Sequence, residues 1–317
     1  MSDKENKEIN LDEQYKKIVE SEESPAEAPK NLGKVDMSKF QPEEAREADV
    51  ILGYHNLDVS NLPSNGMFYP EDIRISIRSA KVQEIRHFST INEQDVLDID
   101  EKLNSIVETC TKVTCPSKKM SYKDLLEEDR FYLILSIRDL TFPEPESKLT
   151  VDYTQKKTGE KHNIEIKKEY FQYFQVPDEI AKYYDKEGKC FSISTKSFGI
   201  IEMRPPTIGV MQKITAYIRE KQREEANIDQ SVLQVAPYLI KEWRGFTDKN
   251  IFDFEIEMNG WTNQKYSLIY NLAEKMKVGV QPNMLVTLGD EEEQVPINFR
   301  NGLKSLFIVQ DFTSELL

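Results

Sequence analysis

Residues 73–78 alternate strictly, with Ile73, Ile75 and Ile77 on one side and Arg74, Ser76 and Arg78 on the other. Such a two-residue period marks a strand with one buried face. The period then lengthens. "KVQEIRHFS" turns helical, and in "NEQDVLDIDEKLNSIVETC" the residues Val96, Ile99, Leu103, Ile106 and Val107 recur at helical spacing. "SYKDLLEEDRFYLILSIRDLTF" carries the strongest helical pattern of all. Ser121 is the predicted N-cap, and Asp124 takes the third position, where a carboxylate favours a helix start. Pro143 is the predicted stop.

From Leu149 the period shortens again. "LTVDYTQKKTGEKHNIEIKKEYF" reads as a hairpin turning near "KTGE", and "KCFSISTKSFGIIEMRPP" as a second strand pair. Helices return after Pro205 and Pro206. Thr207 can cap "IGVMQKITAYIREKQREE"; "DQSVLQVAPYLIKEWRGF" follows with a kink expected at Pro237. "NIFDFEIEMNGW" and "TNQKYSLIYNLAEKM" supply two more helices. The tail, "NMLVTLGDEEEQVPINFRNGLKSLF", reads as strand, acidic loop, strand and short helix. Strands and helices come in blocks instead of alternating, so the expected class is α+β. Four segments are expected: a disordered acidic leader (1–50), a strand-helix region (51–148), antiparallel hairpins (149–206), and a helical region with terminal strands (207–317).

Composition narrows the function. The 317 residues include 42 basic and 56 acidic side chains, a net charge of -14. That balance argues against nucleic-acid and anionic-membrane partners, which need clustered Lys and Arg. "SEESPAEAPK" in the leader is too poor in apolar residues to offset ordering entropy, although Leu11–Glu20 could form a short helix. No run reaches the length of a membrane-spanning helix, and "MSDKENKEIN" lacks the apolar core of a secretory signal. Three cysteines do not make a disulfide framework, so a reducing, cytoplasmic setting is expected.

Chemistry-bearing motifs are scarce. There is no P-loop, dinucleotide turn, nucleophile elbow or zinc-protease helix. Cys110 and Cys115 lack a second pair, and only Cys190 remains, so no metal or other cofactor is expected. Asp95, Asp98 and Asp100 have no EF-hand glycine and read as a solvated helix face. "EYFQYF" reads as core or interface packing. Arg204, Pro205 and Pro206 form a rigid corner, where Arg204 could anchor a carboxylate on a partner. No catalytic residue is assigned.

"LPSNGMFYP", residues 62–70, is a stiffened loop: Pro63 and Pro70 fix backbone angles and Asn65-Gly66 tolerates positive φ. Met67, Phe68 and Tyr69 then project as an apolar wedge, which either tucks under the domain or meets another subunit, and Leu62 and Pro63 join them as candidate partner-binding residues. Ser64, Gly66 and Pro70 shape it.

This loop, the strand after it, Glu84, and the series Asp124, Leu125, Asp129, Arg130, Leu133 or Ile134, and Arg138 together resemble the baseplate hub assembly chaperones of T-even-type contractile-tailed phages. The resemblance covers roughly residues 60–142, with a weaker likeness through "MRPPTIG". It implies a non-enzymatic assembly factor in the host bacterial cytoplasm, with hub or tail-lysozyme proteins, and other hub assembly factors, as partners. A permanent baseplate subunit retained in the virion is the alternative. It also implies a structural role for Glu84, and for Asp129, Arg130 and Arg138 either an internal ion-pair network orienting the helix or a partner contact. Some members of that family carry paired cysteines after the Arg-Asp-Leu-Thr helix. "VDYTQKKTGEKHNIEI" carries none here, and no metal is carried over.

Overall fold

Ile73, Ile75 and Ile77 are all buried, as period-two alternation requires. The computed structural model describes residues 53–144, 147–299 and 302–308, and the disordered leader expected at 1–50, with its short helix at Leu11–Glu20, lies outside them. Strand β2 (Arg74–Ile77) lies between β1 (His55–Leu57) and β3 (Thr111–Thr114), antiparallel to both, with Ile75 opposite Leu57 and Val113. Between β2 and β3 run α1 (Val82–Ser89) and α2 (Val96–Cys110). Asp95 caps α2 through the amides of Leu97 and Asp98.

The central helix is α3 (Glu127–Thr141). Leu133, Ile134, Leu135 and Ile137 are almost fully buried, so α3 is enclosed on several sides. It packs against α2, β2 and two later elements, α5 (Ile208–Arg223) and β10 (Val280–Leu288). It begins five residues later than the pattern predicts. Ser121 and Asp124 do cap a helical turn, but a short 3-10 turn at Tyr122–Asp124. Leu125 and Leu126 then run extended, and Leu126 bridges to Thr207. Both leucines are thereby fully buried, a gain that outweighs continuing the helix.

The remaining strands form small antiparallel sets. β4 (Thr150–Thr154) pairs with β5 (Lys161–Glu165), and β7 (Tyr184–Asp185), β8 (Cys190–Thr195) and β9 (Gly199–Met203) form a second sheet. β10 lies between β11 (Glu291–Pro296) and β6 (Phe171–Tyr173). A four-residue helix, α4 (Asp178–Ala181), joins β6 to β7. Thr207 caps α5 through the Val210 amide, as expected. α6 (Gln230–Leu239) contains Pro237, and α7 (Asp248–Asn259) and α8 (Asn263–Lys275) follow. The class is α+β, and one continuous apolar core links residues from Leu62 to Phe307.

Three expectations are corrected. The acidic stretch at 289–294 is not a loop tip: only Gly289 and Asp290 turn, while Glu291–Glu293 lie in β11. Glu293 accepts from the Tyr153 hydroxyl at 2.8 Å and Glu291 pairs with Lys157 at 2.5 Å, which ties β11 to the β4–β5 hairpin. Of Asp95, Asp98 and Asp100, Asp95 is exposed as expected, while Asp100 leaves the solvated face. Asp98 accepts from the Asn92 amide, and Asp100 pairs with Arg130 at 2.5 Å. Finally, α6 stops at Leu239, leaving Trp243 and Arg244 in a loop.

Candidate functional site

The 62–70 loop folds inward. Leu62, Ser64, Phe68 and Tyr69 are each 3% exposed or less, Pro63 is buried, and Met67 is half-buried. Asn65 and Gly66 both take positive φ, and a Cβ at Gly66 would come within 2.8 Å of Val59 Cγ1. Phe68 packs edge-on against Tyr184 and Phe191 with centroids 5.6 and 5.7 Å away. The Tyr184 hydroxyl donates to the Met67 carbonyl. The expectation of a wedge projecting toward a partner is therefore corrected for Leu62, Pro63, Phe68 and Tyr69. Their apolar area is spent inside this chain.

Behind the loop sits Asp129, fully buried in the first turn of α3. It accepts from the Ser64 amide at 2.9 Å, the Ser64 hydroxyl at 2.7 Å and the Tyr69 hydroxyl at 2.6 Å. Tyr69 in turn accepts from the Leu126 amide at 2.9 Å. Burial pushes the Asp129 carboxyl up, and these donors pull it back without cancelling the effect. Burial next to Asp129 also pushes the Tyr69 phenol well up, so it stays a donor. Asp129 makes no ion pair among the described residues. Arg130 turns the other way, to Asp100, Asn104 and, one turn back, Glu127. Arg138 has no ion pair among the described residues. The single network through Asp129, Arg130 and Arg138 is corrected accordingly: the three face different ways. Glu84 is a structural residue of a different kind. It forks onto Arg78 at 2.6 and 3.0 Å and accepts from the Lys81 amide at 2.6 Å, pinning the start of α1 to the end of β2.

The corner at Arg204, Pro205 and Pro206 docks onto the α3 entry. The Glu127 amide donates to the Pro206 carbonyl at 3.0 Å and the Ile208 amide to the Leu125 carbonyl at 2.8 Å. Beside this junction opens a pocket of about 260 Å³, walled by Phe68, Pro70, Met120 and Trp243. Asp124 lies in its lining, held by both nitrogens of the Arg244 fork at 2.5 and 2.6 Å and by Trp243 Nε1 at 3.0 Å. Burial pushes the Asp124 carboxyl up, but the Arg244, Ser121 and Trp243 donors outweigh it and hold the carboxyl below its ordinary range. The Trp243 ring lies so close to α5 that a Cβ on Gly209 would meet it at 2.5 Å.

Arg204 enters the same pocket from the end of β9. Its amide donates to the Tyr238 carbonyl. Its guanidinium has no carboxylate within ion-pair distance among the described residues, and its Nε is shut off from solvent with no hydrogen-bond partner. Burial pushes its pKa down, while Tyr69, Cys190 and Glu242 pull the other way. Glu242, on the pocket lining, is already engaged by Lys118 at 3.3 Å and Arg244 at 3.2 Å. Lys118, Lys189 and Lys241 share the lining with Asp124, Glu187 and Glu242, and Lys241 is paired with Glu202. An arginine cannot relieve its burial by losing a proton, so the Arg204 charge is left without a counter-ion among the described residues.

Sequence reasoning singled out Arg204 but missed Trp243 and Arg244. The pattern places "KEWRGF" in a helix, but the helix ends at Leu239, and the glycine of that stretch is the one local signal for a loop. Among the described residues, no group of His, Cys, Asp and Glu could hold a metal ion, and no helix is long and apolar enough to cross a membrane. Cys110 and Cys190 are buried, and burial pushes both thiols up, the first to about 11. Neither is set up as a nucleophile. Comparisons with protein-family models, curated proteins and solved structures find no match to this chain.

Proposed function

We propose that this protein is a non-enzymatic assembly factor that captures an acidic side chain of a partner protein at Arg204. The observation that carries the reading is the guanidinium without an ion pair on the lining of this pocket, whose Lys118, Lys241 and Asp124 are already paired. A carboxylate from outside supplies the missing ion pair, and a desolvated Arg–carboxylate contact is a strong anchor. The partner is a hub or tail-lysozyme component of a contractile-tailed phage baseplate, with other hub assembly factors as further neighbours. The resemblance of residues 60–142 supports that choice. Its residues Ser64, Tyr69 and Asp129 join in one hydrogen-bonded unit, and Gly66 shapes the turn between them.

The test is co-expression of the full chain with hub and tail-lysozyme proteins of such a phage, followed by affinity capture. A complex is expected, and Arg204→Met should weaken it by at least about 30-fold, the 2 kcal/mol or more typical of truncating a desolvated charge pair. The melting temperature should hold or rise. Failure of every such protein to bind, or equal binding by the variant, overturns the reading. Quantifying the chain in finished particles separates an assembly factor, absent or at low copy, from a retained baseplate subunit in the host-assembled virion.

A further inference from the structure

Arg138 sits in the last turn of α3, at the end away from the Leu126–Thr207 bridge, and is 4% exposed. Its Nη2 donates to the Ser147 carbonyl and its guanidinium lies 5.6 Å from the centre of the Phe142 ring. Its Nε has no hydrogen-bond partner, and no carboxylate lies within ion-pair distance among the described residues. The negative end of the helix dipole and one carbonyl offset part of the burial cost, but neither is a counter-ion. Burial pushes the Arg138 pKa down, with neighbouring Asp139 opposing.

Arg138 lines a pocket of about 270 Å³. Leu135, Phe142, Leu149, Ile166 and Phe171 supply its apolar walls. Three lysines share the lining, and each already has a carboxylate: Lys148 faces Glu165 at 2.8 Å, Lys167 faces Glu165 at 3.6 Å, and Lys168 faces Asp139 at 2.8 Å. The charge left over is the guanidinium. Glu144, also in the lining, is exposed.

We propose that this pocket binds a small carboxylate carried on an apolar body, with the carboxylate on Arg138 and the body against the Leu149, Ile166 and Phe171 walls. The volume lies just below that of drug-sized sites, which suits a single ring or short chain. An inorganic dianion matches less well, because Asp139, Glu144 and Glu165 share the lining and repel two charges more than one, and it has no apolar body to set against the walls. The site is independent of the Arg204 pocket and needs no protein partner.

Phenylacetate is the probe, with phenylacetamide as its neutral counterpart and inorganic phosphate as a third arm, each titrated into the full-length protein. The readout is the Arg138 Nε–H resonance, assigned by its loss in Arg138→Lys, together with the melting temperature. Phenylacetate should shift the resonance saturably and raise the melting temperature. Phenylacetamide should bind at least about tenfold more weakly, the loss expected when a charge-assisted pair becomes neutral. Arg138→Met should abolish the response; if that variant does not fold, the wild-type titration decides alone. An unmoved Nε–H resonance, an equal response to phenylacetamide, or phosphate binding as tightly as phenylacetate would each overturn the assignment.

Discussion

Tyr69→Phe removes one oxygen atom and keeps the ring. That oxygen serves two partners in the structure: it donates to Asp129 Oδ2 at 2.6 Å and accepts from the Leu126 amide at 2.9 Å. Tyr69 is 2% exposed and Leu126 and Asp129 are fully buried, so water does not replace either bond without disrupting the loop. The bond to the carboxylate is worth about 1.5–3 kcal/mol, and the orphaned amide costs about 1–3 kcal/mol. Asp129 retains both donors of Ser64, which places the expected loss near the lower sum, about 2.5 kcal/mol. At about 2–4 °C per kcal/mol for a unit of this size, the melting temperature should fall by about 5–10 °C. Urea denaturation followed by circular dichroism measures it, with an unchanged m-value as the two-state control. Ser64→Ala supplies the second corner of a double-mutant cycle. The two changes share Asp129, so they should couple by about 0.5 kcal/mol or more. A loss for Tyr69→Phe below about 1 kcal/mol would show the hydroxyl to be solvated and the inward-folded loop to be wrong.

Two further outcomes follow from the same geometry. Phe68→Ser should cost at least the 3–5 kcal/mol of a large core truncation, because Phe68 packs against Tyr184 and Phe191; an unaltered urea midpoint would return the loop to the surface. Glu128→Gln should stabilise the protein at pH 8, and the advantage should shrink as pH falls toward about 4. Burial raises the Glu128 carboxyl well above its ordinary range, so the native state holds a proton that the unfolded chain has released. Raising the pH through that window therefore favours unfolding of the wild type. Glu127 and Asp129 are raised as well and leave some slope in the variant, so the wild-type-minus-variant difference in urea midpoint across pH is the measurement. A difference that is flat with pH would refute it.

Local pattern carried most of the fold. The Ile73–Ile77 alternation, the α2 spacing, the Thr207 cap and the two hairpins depend on neighbours in the chain, and the structure places them where the pattern does. The misread parts depend on distant partners. Leu125 and Leu126 have a helical pattern, but Thr207, some eighty positions on, holds them extended. The three glutamates of β11 look like a loop tip until Tyr153 and Lys157 arrive from another hairpin. The site was half legible. An arginine before two prolines drew notice, whereas its unpaired state is a property of what the fold leaves beside it. The 62–70 loop has the composition of either a core plug or an exposed wedge, and only packing distinguishes the two.

The seam between α3 and the corner at residues 204–208 has a consequence for biosynthesis. The Glu127 amide and the Leu125 carbonyl find their partners on Pro206 and Ile208. At roughly 5–20 residues per second, those partners leave the ribosome several seconds after α3 itself. Throughout that delay the acidic entry to α3 and its two leucines stay unsealed. The nascent chain thus carries Leu125 and Leu126 without their distant partner until the corner itself has been made.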